Sequence, residues 1–448
     1  MGQSALPIGT TGIGSATKAS PSHVIGIRVK RPVRNQAEMI VRDLDSLVSE
    51  DHAVRAVWEF LGRLDLSAFY GSIKAVLDRP GRPASDPQVL LALWVYATVE
   101  GIGSARQLAK LTEEHDTYRW LRGGVPVDYH LLAEFRTTHQ EEIDDLITQV
   151  VAVLLKAGLV ELKRVSQDGM RVRASAGSSS FHRDKSLKKC LEEAREQVKR
   201  VAEEREHPDR EVSQREQMAR ERAAREREDR IQEALQQLPR VQSAKERQQR
   251  HAGKARAARV KEARVSTTDP SARIMKMADG GFRPSYNVQY ATDTGSQVIV
   301  GVDVSNQGAD QGQALGMEEQ VERRTGKQPE SYLADGGFVD LEDIKALEEK
   351  GIEVYAPSRE NKGREISYGK GMAGTPEIAA WRERMQTEEA KTIYRERAAT
   401  SECVNALMRT RYGLRQFTVR GLPKVLGAVL LTVLAHNLIR WISLTTLA

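Results

Sequence analysis

Hydrophobic residues recur at three- and four-residue steps between residues 36 and 160, the first third of the chain. The clearest sets are Val54, Val57, Trp58, Leu61 and Leu64, followed by Leu90, Leu91, Trp94, Val95 and Thr98. This period is typical of helices with one buried face, and Asp86 before Pro87 is the pattern of a capped helix start. We therefore expect an all-α domain over 36–160. Residues 1–35, which begin with a run rich in Gly, Ser, Thr and Ala, are predicted to form a disordered arm.

The period changes after Val160. Arg164–Ala174 alternates as a strand does, which places Asp168 on one face with Met170 and Val172. Tyr286–Thr292 and Gln297–Val304 flank a turn sequence and predict a hairpin. The later elements alternate between helix and strand: Gln311–Arg324 (helix), Ser331–Asp335 (strand), Leu341–Lys350 (helix), Ile352–Ala356 (strand), then helices Thr387–Tyr412 and Pro423–Thr445. Residues 161–182 and 265–448 thus predict a mixed sheet flanked by helices, an α/β (α+β) domain.

Residues 183–264 interrupt that domain and contain no Phe, Trp or Tyr. Hydrophobic positions at heptad steps predict one helix, His207-Pro208-Asp209 breaks it, and a second helix is expected to run to about Leu238. The simplest interpretation is an inserted antiparallel helical hairpin. The alternative is that the heptad stripe, Leu187–Val201, forms a dimer contact.

Charge adds a functional hint. The whole chain has a net charge of +6, and residues 183–264 hold 24 basic and 17 acidic residues, so the positive surplus lies entirely in the insertion. The segment Arg240–Arg264 contains nine basic residues and two acidic ones. A concentrated positive charge favours a polyanionic partner such as nucleic acid.

Several protein classes are not expected. Cys190 and Cys403 are too few and too far apart for a disulfide framework or a zinc cluster, which points to a reducing cytosol. The apolar run Val425–Ala435 is short and is followed by His436 and Asn437, so no membrane span is predicted. There is no signal-peptide pattern, no Walker A motif, no GxSxG, no HExxH and no dinucleotide-binding glycine motif.

What remains is acidic residues near strand ends, which suit hard cations such as Mg²⁺. Asp335 follows a buried strand and precedes two glycines, and Asp340 already fills the helix-capping role. Its pentapeptide, Ala-Asp-Gly-Gly-Phe, also occurs at Ala278–Phe282. Asp279 lies there in a loop context, so we interpret it as a turn former and prefer Asp335.

The other carboxylates are harder to rank from the pattern. Asp168 lies within a strand, where an unpaired charge is costly, and Asp303 at the end of its strand is a close rival. Asp310 is interpreted as a helix start. Glu402 shares a helix face with Asn405 and Arg409, and composition alone does not distinguish it from solvated surface.

The C-terminal run IYRERAATSECVNALMRTRYGLRQF resembles the signature region of bacterial insertion-sequence transposases of the DDE type. In that family an invariant Glu follows a Tyr and an Arg, and a basic residue comes seven positions later. Tyr394, Arg397, Glu402 and Arg409 match these places. The resemblance extends to YLADGGF, SQDGMRVRA and GFRPSYNVQYATD, and to the helical block RPASDPQVLLALWVYATVEGIGSARQLAKL. Three departures are visible: Arg409 replaces a common Lys, Gly337-Phe338 replaces Gly-Tyr, and four residues instead of three separate Arg397 from Glu402.

This resemblance implies an RNase H-like core with Asp168, Asp335 and Glu402 as the catalytic and metal-binding triad, holding two Mg²⁺ ions that Mn²⁺ can replace. It implies cleavage of double-stranded DNA at element ends and 3′-OH strand transfer into target DNA, with no nucleotide cofactor. It also implies a homodimer in a synaptic complex and a bacterial, cytoplasmic, nucleoid-associated protein. Arg397 and Arg409 are expected to contact phosphates, although a surface ion pair is an alternative for both.

The basic tail is expected to follow the DNA backbone through Arg247, Arg250, Lys254, Arg256 and Arg259. The alternative is a solvated helix, which is the preferred interpretation of the insertion before Leu238. Two rival functions remain open at this point: a nuclease of the same fold without strand transfer, and an inactive DNA-binding descendant that acts as a repressor.

Overall fold

The structure is a computed structural model that describes residues 35, 37, 39, 41–75, 83–206, 213–251, 262–357 and 374–447. The chain divides into two units, Met1–Asp43 and Leu44–Ala448, and the architecture below belongs to the second. The predicted arm over residues 1–35 lies outside the described residues, apart from Asn35.

The first part of the second unit is helical, as predicted. After a 3₁₀ turn at Asp45–Leu47, its helices are α1 (Ala53–Leu61), α2 (Ser67–Gly71), α3 (Pro87–Val99), α4 (Ala105–Glu114), α5 (Asp116–Arg122), α6 (Tyr129–Thr138) and α7 (Gln140–Lys156). The Asp86 side chain accepts a hydrogen bond from the Gln88 N–H, and Pro87 occupies the first turn of α3. Helix α3 is buried almost all round, and the Trp94 indole donates to the Leu132 carbonyl at its centre.

A mixed sheet follows. Its strands, together with a small separate ladder, are β1 (Arg164–Arg173), β2 (Phe181–His182), β3 (Val265–Ser266), β4 (Arg273–Lys276), β5 (Phe282–Asp293), β6 (Ile299–Ser305), β7 (Ser331–Ala334) and β8 (Glu353–Tyr355). The main sheet has the order β4-β5-β1-β7-β8, with β6 also paired to β5. Strand β5 runs antiparallel to β1, β4 and β6, whereas β7 runs parallel to β1 and β8. This confirms the predicted mixed α/β core, and β1 is its central strand.

Helices α10 (Ala314–Thr325) and α11 (Leu341–Glu349) connect the later strands. The Asp340 side chain caps α11 by accepting from the Glu342 N–H, as predicted. Strands β2, β3 and β4, of two to four residues, are not among the predicted strands.

The insertion consists of α8 (Asp184–Glu206) and α9 (Gln214–His251). Side chains pair in antiparallel order across the two helices, with Arg195 contacting Glu228 and Arg205 contacting Glu221. The expected end of the second helix near Leu238 is wrong, because α9 continues through Pro239 to His251. The β2–β3 ladder joins the two ends of the insertion at its base.

The C-terminal region contains α12 (Pro376–Gln386), α13 (Glu388–Arg397), a π-helical turn (Ala398–Glu402), α14 (Cys403–Thr410) and α15 (Leu422–Leu447). The predicted single helix Thr387–Tyr412 is therefore interrupted, and α12 was not predicted. Helix α15 packs against α7, α3 and β6. It is long and apolar enough to cross a membrane, but 67% of its apolar window is buried, as in a core helix. The polar residue Asn437 is accommodated within this helix. Its Oδ1 accepts a hydrogen bond from the Ile299 N–H on β6, and its Nδ2 donates one to the Ile299 carbonyl.

Candidate active site

Strands β1 and β7 bring Asp168 and Asp335 together. The two strands are parallel, and Gln167 is in register with Ala334. Asp168 follows Gln167 on β1, and Asp335 follows Ala334, the last residue of β7. Asp335 therefore lies at the end of β7, beside Asp168. Its Oδ1 accepts the Gly337 N–H at 2.6 Å. The carboxyl end of a parallel strand is where open sheets bind ligands, in agreement with the sequence-based choice of Asp335.

A helical segment lies along one face of β1 and contacts every second residue of the strand. These contacts are Arg164 Nη1 to Glu396 Oε1 at 2.9 Å, Ser166 Oγ to Ser401 Oγ at 2.6 Å, and Asn405 Nδ2 to Asp168 Oδ2 at 3.0 Å. The alternation of strand side chains explains the step of two on β1. On the helical side the steps are five and then four residues, and the step of five spans the π turn.

The π turn also explains how Arg397 and Glu402 meet. The two positions are five apart in the sequence, and in a regular α-helix this spacing places side chains on different faces. A π turn closes i→i+5 hydrogen bonds, so it accommodates one additional residue and keeps the two side chains close. Arg397 Nη2 lies 3.6 Å from Glu402 Oε1. The additional residue that the sequence shows between these positions is therefore accommodated locally, and Glu402 still contacts Arg397.

Arg397 lies between the acidic residues. Its Nη1 is 3.4 Å from Asp168 Oδ2, and its side chain is 15% exposed. Nη1 is buried without a hydrogen-bond partner among the described residues. The alternative of a surface ion pair is half right, because Arg397 pairs with the neighbouring Glu402 but is largely buried and also pairs with Asp168. The expected phosphate contact stays a prediction.

Burial and neighbouring charges set the ionisation of this cluster. Burial raises the pKa of Asp168, while Arg397 and the Gly169 N–H lower it and the charge of Asp335 raises it further. For Arg397, burial alone would lower the pKa, but the attraction of Asp168, Tyr394 and Asp335 results in a raised pKa. Asp168, Asp335 and Arg397 are thus close enough to influence one another's charge.

The donor chemistry of the cluster suits a hard divalent cation. Asp168, Asp335 and Glu402 offer carboxylate oxygens, and Glu402 is 62% exposed and so accessible from solvent. Within the described ranges, no three His, Cys, Asp or Glu side chains are already gathered as a metal cluster. The residues fit a metal by type, and the positive charge of Arg397 competes for the same carboxylates.

The rival aspartates lie elsewhere. Asp279 occupies an exposed turn, where both carboxylate oxygens accept hydrogen bonds from Arg283 Nη1 at 2.7 and 2.8 Å. This confirms its interpretation as a turn former. Asp303 is an exposed position on β6.

Asp310 is not the helix start that the sequence indicated, because α10 begins at Ala314. Instead its Oδ1 accepts hydrogen bonds from Asn287 Nδ2 at 2.6 Å and Gln289 Nε2 at 2.7 Å. A Cβ on Gly169 would lie 2.5 Å from that same oxygen. Asp310 therefore packs against the strand position next to Asp168, a contact between distant parts of the sequence that no local pattern reveals.

The basic candidates are more dispersed. Arg409 is half-buried on α14, and no carboxylate of the described residues lies within 4 Å of its guanidinium. Arg247 is exposed near the end of α9. Lys254, Arg256, Arg259 and the side chain of Arg250 lie outside the described residues. Asn405, which shares the Glu402 face, has no role that the sequence predicts, yet its Nδ2 donates a hydrogen bond directly to Asp168.

Comparison with known protein families gives two matches. A model described as "Transposase domain (DUF772)" matches residues 42–138, and one described as "Transposase DDE domain" matches residues 358–442. No curated protein and no solved structure matches the chain. The first match covers most of the N-terminal helices, and the second contains Arg397, Glu402 and Arg409. A transposase DDE domain belongs to a DNA-acting enzyme of a family that generally uses divalent metals. Matches to transposase domains near both ends of the chain support its identification as an insertion-sequence-type DDE transposase.

Proposed function

We propose that this protein cleaves DNA at the ends of an insertion element and joins the freed 3′-OH to target DNA, with Asp168, Asp335 and Glu402 as its catalytic carboxylates. The observation that carries the proposal is the position of Arg397. It contacts Asp168 on β1 and Glu402 on the π turn, and it is close enough to Asp335 to interact with its charge. Residues that are distant in sequence thus meet at the end of β7.

Asp168, Asp335 and Glu402 would hold two Mg²⁺ ions, or Mn²⁺ in their place. Such a pair, when bound, activates the attacking water or 3′-OH and stabilises the leaving oxygen. The protein's own part is to orient the carboxylates: Asn405 and the Gly169 N–H fix Asp168, and the Gly337 N–H fixes Asp335. Arg397 and Arg409 would donate to phosphates beside the scissile bond. The reaction needs no protein nucleophile and no nucleotide cofactor.

The proposed partner is double-stranded DNA, both element ends and target, bound by a homodimer in a synaptic complex. The bacterial cytoplasm, at the nucleoid, is the proposed location. The basic tail of the insertion, including Arg247, would follow the phosphate backbone without reading sequence.

The test uses a labelled DNA carrying the element's own end, target DNA, and Mg²⁺ or Mn²⁺. Nicked and joined products are measured for the wild type, Asp335→Ala and Glu402→Ala. Asp303→Ala is the matched control, since it removes an exposed carboxylate from the same sheet. Metal-dependent joining that is lost in both site variants and kept in the control is the expected result.

Two other results would replace the proposal. Cleavage without joining would identify a nuclease. Binding of the correct end without any cleavage by the wild type would identify a DNA-binding descendant.

A further inference from the structure

A cavity of about 290 Å³ lies where the insertion meets the sheet domain. Arg227 and Arg230 of α9 line one side of it, Arg420 lines another, and Thr267 and Thr268 after β3 add polar atoms. This part of α9 precedes Leu238, in the segment whose nearly balanced charges gave no reason to expect a binding site. The fold, not the local charge count, brings Arg420 opposite the two α9 arginines.

These arginines form few close ion pairs. The only ion pair of Arg230 within the described residues is with Glu226, at 3.8 Å, and its Nε is buried without a hydrogen-bond partner there. Arg227 donates to the neutral Gln197 side chain, and Arg420 Nε donates to the Ser175 carbonyl at 3.1 Å. The lining of the cavity therefore carries three arginines and no carboxylate. The nearby carboxylates lie outside the lining: Glu226 and Asp229 act on Arg230, and the buried Asp269 acts on Arg420.

The charges also act on one another. Burial lowers the pKa of Arg230, and the nearby charge of Arg420 lowers it further. Arg230 is half-buried, whereas Arg227 and Arg420 are exposed. Like charges held together destabilise the folded state unless negative charge compensates them. Guanidinium groups are the side chains best suited to bind a phosphate with two parallel hydrogen bonds.

The position of the cavity links it to the catalytic strand. Ser175, which receives the Arg420 hydrogen bond, lies just beyond β1, and Arg173 at the end of β1 bonds the backbone of Arg415 and Phe417. The segment that carries Arg420 is thereby fixed at the carboxyl end of the strand that holds Asp168. Thr267 is fixed to the base of the insertion through its N–H bond to the Ser180 carbonyl.

We infer that the cavity lined by Arg230, Arg420 and Arg227 binds a backbone phosphate of the DNA substrate at the junction of the insertion and the catalytic domain. The inference rests on the proposed function, since it takes DNA as the ligand. One phosphate bound here contacts both α9 and the segment before α15, so the DNA holds the insertion against the domain that cuts it. The contact is independent of base sequence.

The experiment measures binding of a fluorescent duplex of arbitrary sequence by anisotropy, in EDTA, at several NaCl concentrations. Arg230→Gln and Arg420→Gln are compared with Arg222→Gln, an exposed arginine of α9 that does not line the cavity. Each cavity variant is expected to weaken binding by roughly 3- to 10-fold and to reduce the slope of log K against log [salt] by about one. The control is expected to change affinity by less than about twofold, with its slope unchanged.

Thermal unfolding without DNA serves as the folding control. Arg230→Gln removes a repulsion, so its melting temperature is expected to equal or exceed that of the wild type. The rise in melting temperature on adding the duplex is expected to be smaller for this variant. Cavity variants that bind DNA like Arg222→Gln would overturn the inference. Stabilisation by inorganic phosphate that disappears in Arg230→Gln, together with unchanged DNA binding, would also overturn it and identify a small-anion site.

The outcome is separable from that of the proposed function because EDTA prevents metal-dependent chemistry. If the wild type joins element ends while the cavity variants bind DNA like the control, only this inference fails. If the cavity variants lose DNA affinity while the wild type neither cuts nor joins, the cavity assignment stands and the proposed activity fails.

Discussion

The same five residues, Ala-Asp-Gly-Gly-Phe, occur twice and have two different structures. At Ala278–Phe282 they form an exposed turn between β4 and β5, and Asp279 binds the neighbouring Arg283. At Ala334–Phe338 they end the buried strand β7, and Asp335 lies next to Asp168. The comparison shows that the chemistry of an aspartate depends on the strand that delivers it and the charges that surround it, and the pentapeptide itself determines neither.

The largest expected difference is in catalysis. Asp335→Asn is expected to reduce strand joining by about a thousandfold or more, the scale on which catalytic groups usually act. Asp279→Asn makes the identical change in the identical pentapeptide and is expected to leave the rate within about twofold. Single-turnover joining of a labelled element end measures both. Equal loss in the two variants would show that the two copies have similar roles.

The arginine partners offer the next contrast. Arg397→Gln removes a largely buried cation that pairs with the largely buried Asp168. The change is expected to cost about 2 kcal/mol, or roughly 2–3 °C in melting temperature for a chain of this length. Arg283→Gln breaks an exposed pair of residues four apart and is expected to produce no measurable shift. Differential scanning fluorimetry compares the two, with Arg395→Gln as a control, an exposed arginine two residues before Arg397 on α13. A shift of Arg283→Gln as large as that of Arg397→Gln would contradict the contrast.

The first glycine of each copy differs in backbone conformation. Gly280 has φ +80°, a value that a side chain disfavours, whereas a Cβ on Gly336 would make only ordinary contacts with Pro357 at 3.5–3.6 Å. Gly280→Ala is therefore expected to lower the free energy of unfolding by about 1 kcal/mol, and Gly336→Ala to change it by less than about half as much. Urea unfolding measures both values. A larger loss of unfolding free energy for Gly336→Ala than for Gly280→Ala would contradict the assigned backbone conformations.

The smallest expected effect is on how the stability of the folded protein depends on pH. Burial raises the pKa of Asp168, so the folded state favours its protonated form, and ionisation destabilises the protein as pH rises through the folded pKa. Hydrogen bonds from Arg283 lower the pKa of Asp279, so its stabilising effect is present above its usual pKa near 3.8 and is lost in acid.

In EDTA at pH 7, Asp168→Asn is therefore expected to be as stable as the wild type or slightly more stable, and Asp279→Asn slightly less stable. The Asp168 difference should shrink as the pH falls toward the ordinary value of 3.8, whereas the Asp279 difference should persist there and shrink only at lower pH, as the pH falls through the lowered folded pKa. Melting curves from neutral pH to below the ordinary aspartate pKa test this. Differences of the same sign at pH 7 would contradict the assigned environments.

Local patterns predicted much of the fold because they rest on period and capping. Strand β1, the β5–β6 hairpin and the Asp340 cap of α11 follow from alternation, turn residues and side-chain hydrogen bonds. The predicted end of the second insertion helix was wrong for a tertiary reason. Pro239 is a helix breaker by propensity, yet α9 continues through it. Packing of a long helix on its partner outweighs a local preference of about 3 kcal/mol.

The sequence by itself determined the helical and mixed-sheet parts, the carboxylates worth considering and, through resemblance, the family in which they act. Tertiary structure decided the rest, because charge and register act between residues far apart in the chain. The parallel pairing of β1 with β7 places Asp335 beside Asp168, and the π turn places Arg397 between Asp168 and Glu402. Asp310 and Arg420 acquire their surroundings only when distant strands and helices meet. A one-dimensional pattern records spacing along the chain, whereas electrostatic contact depends on distance through space.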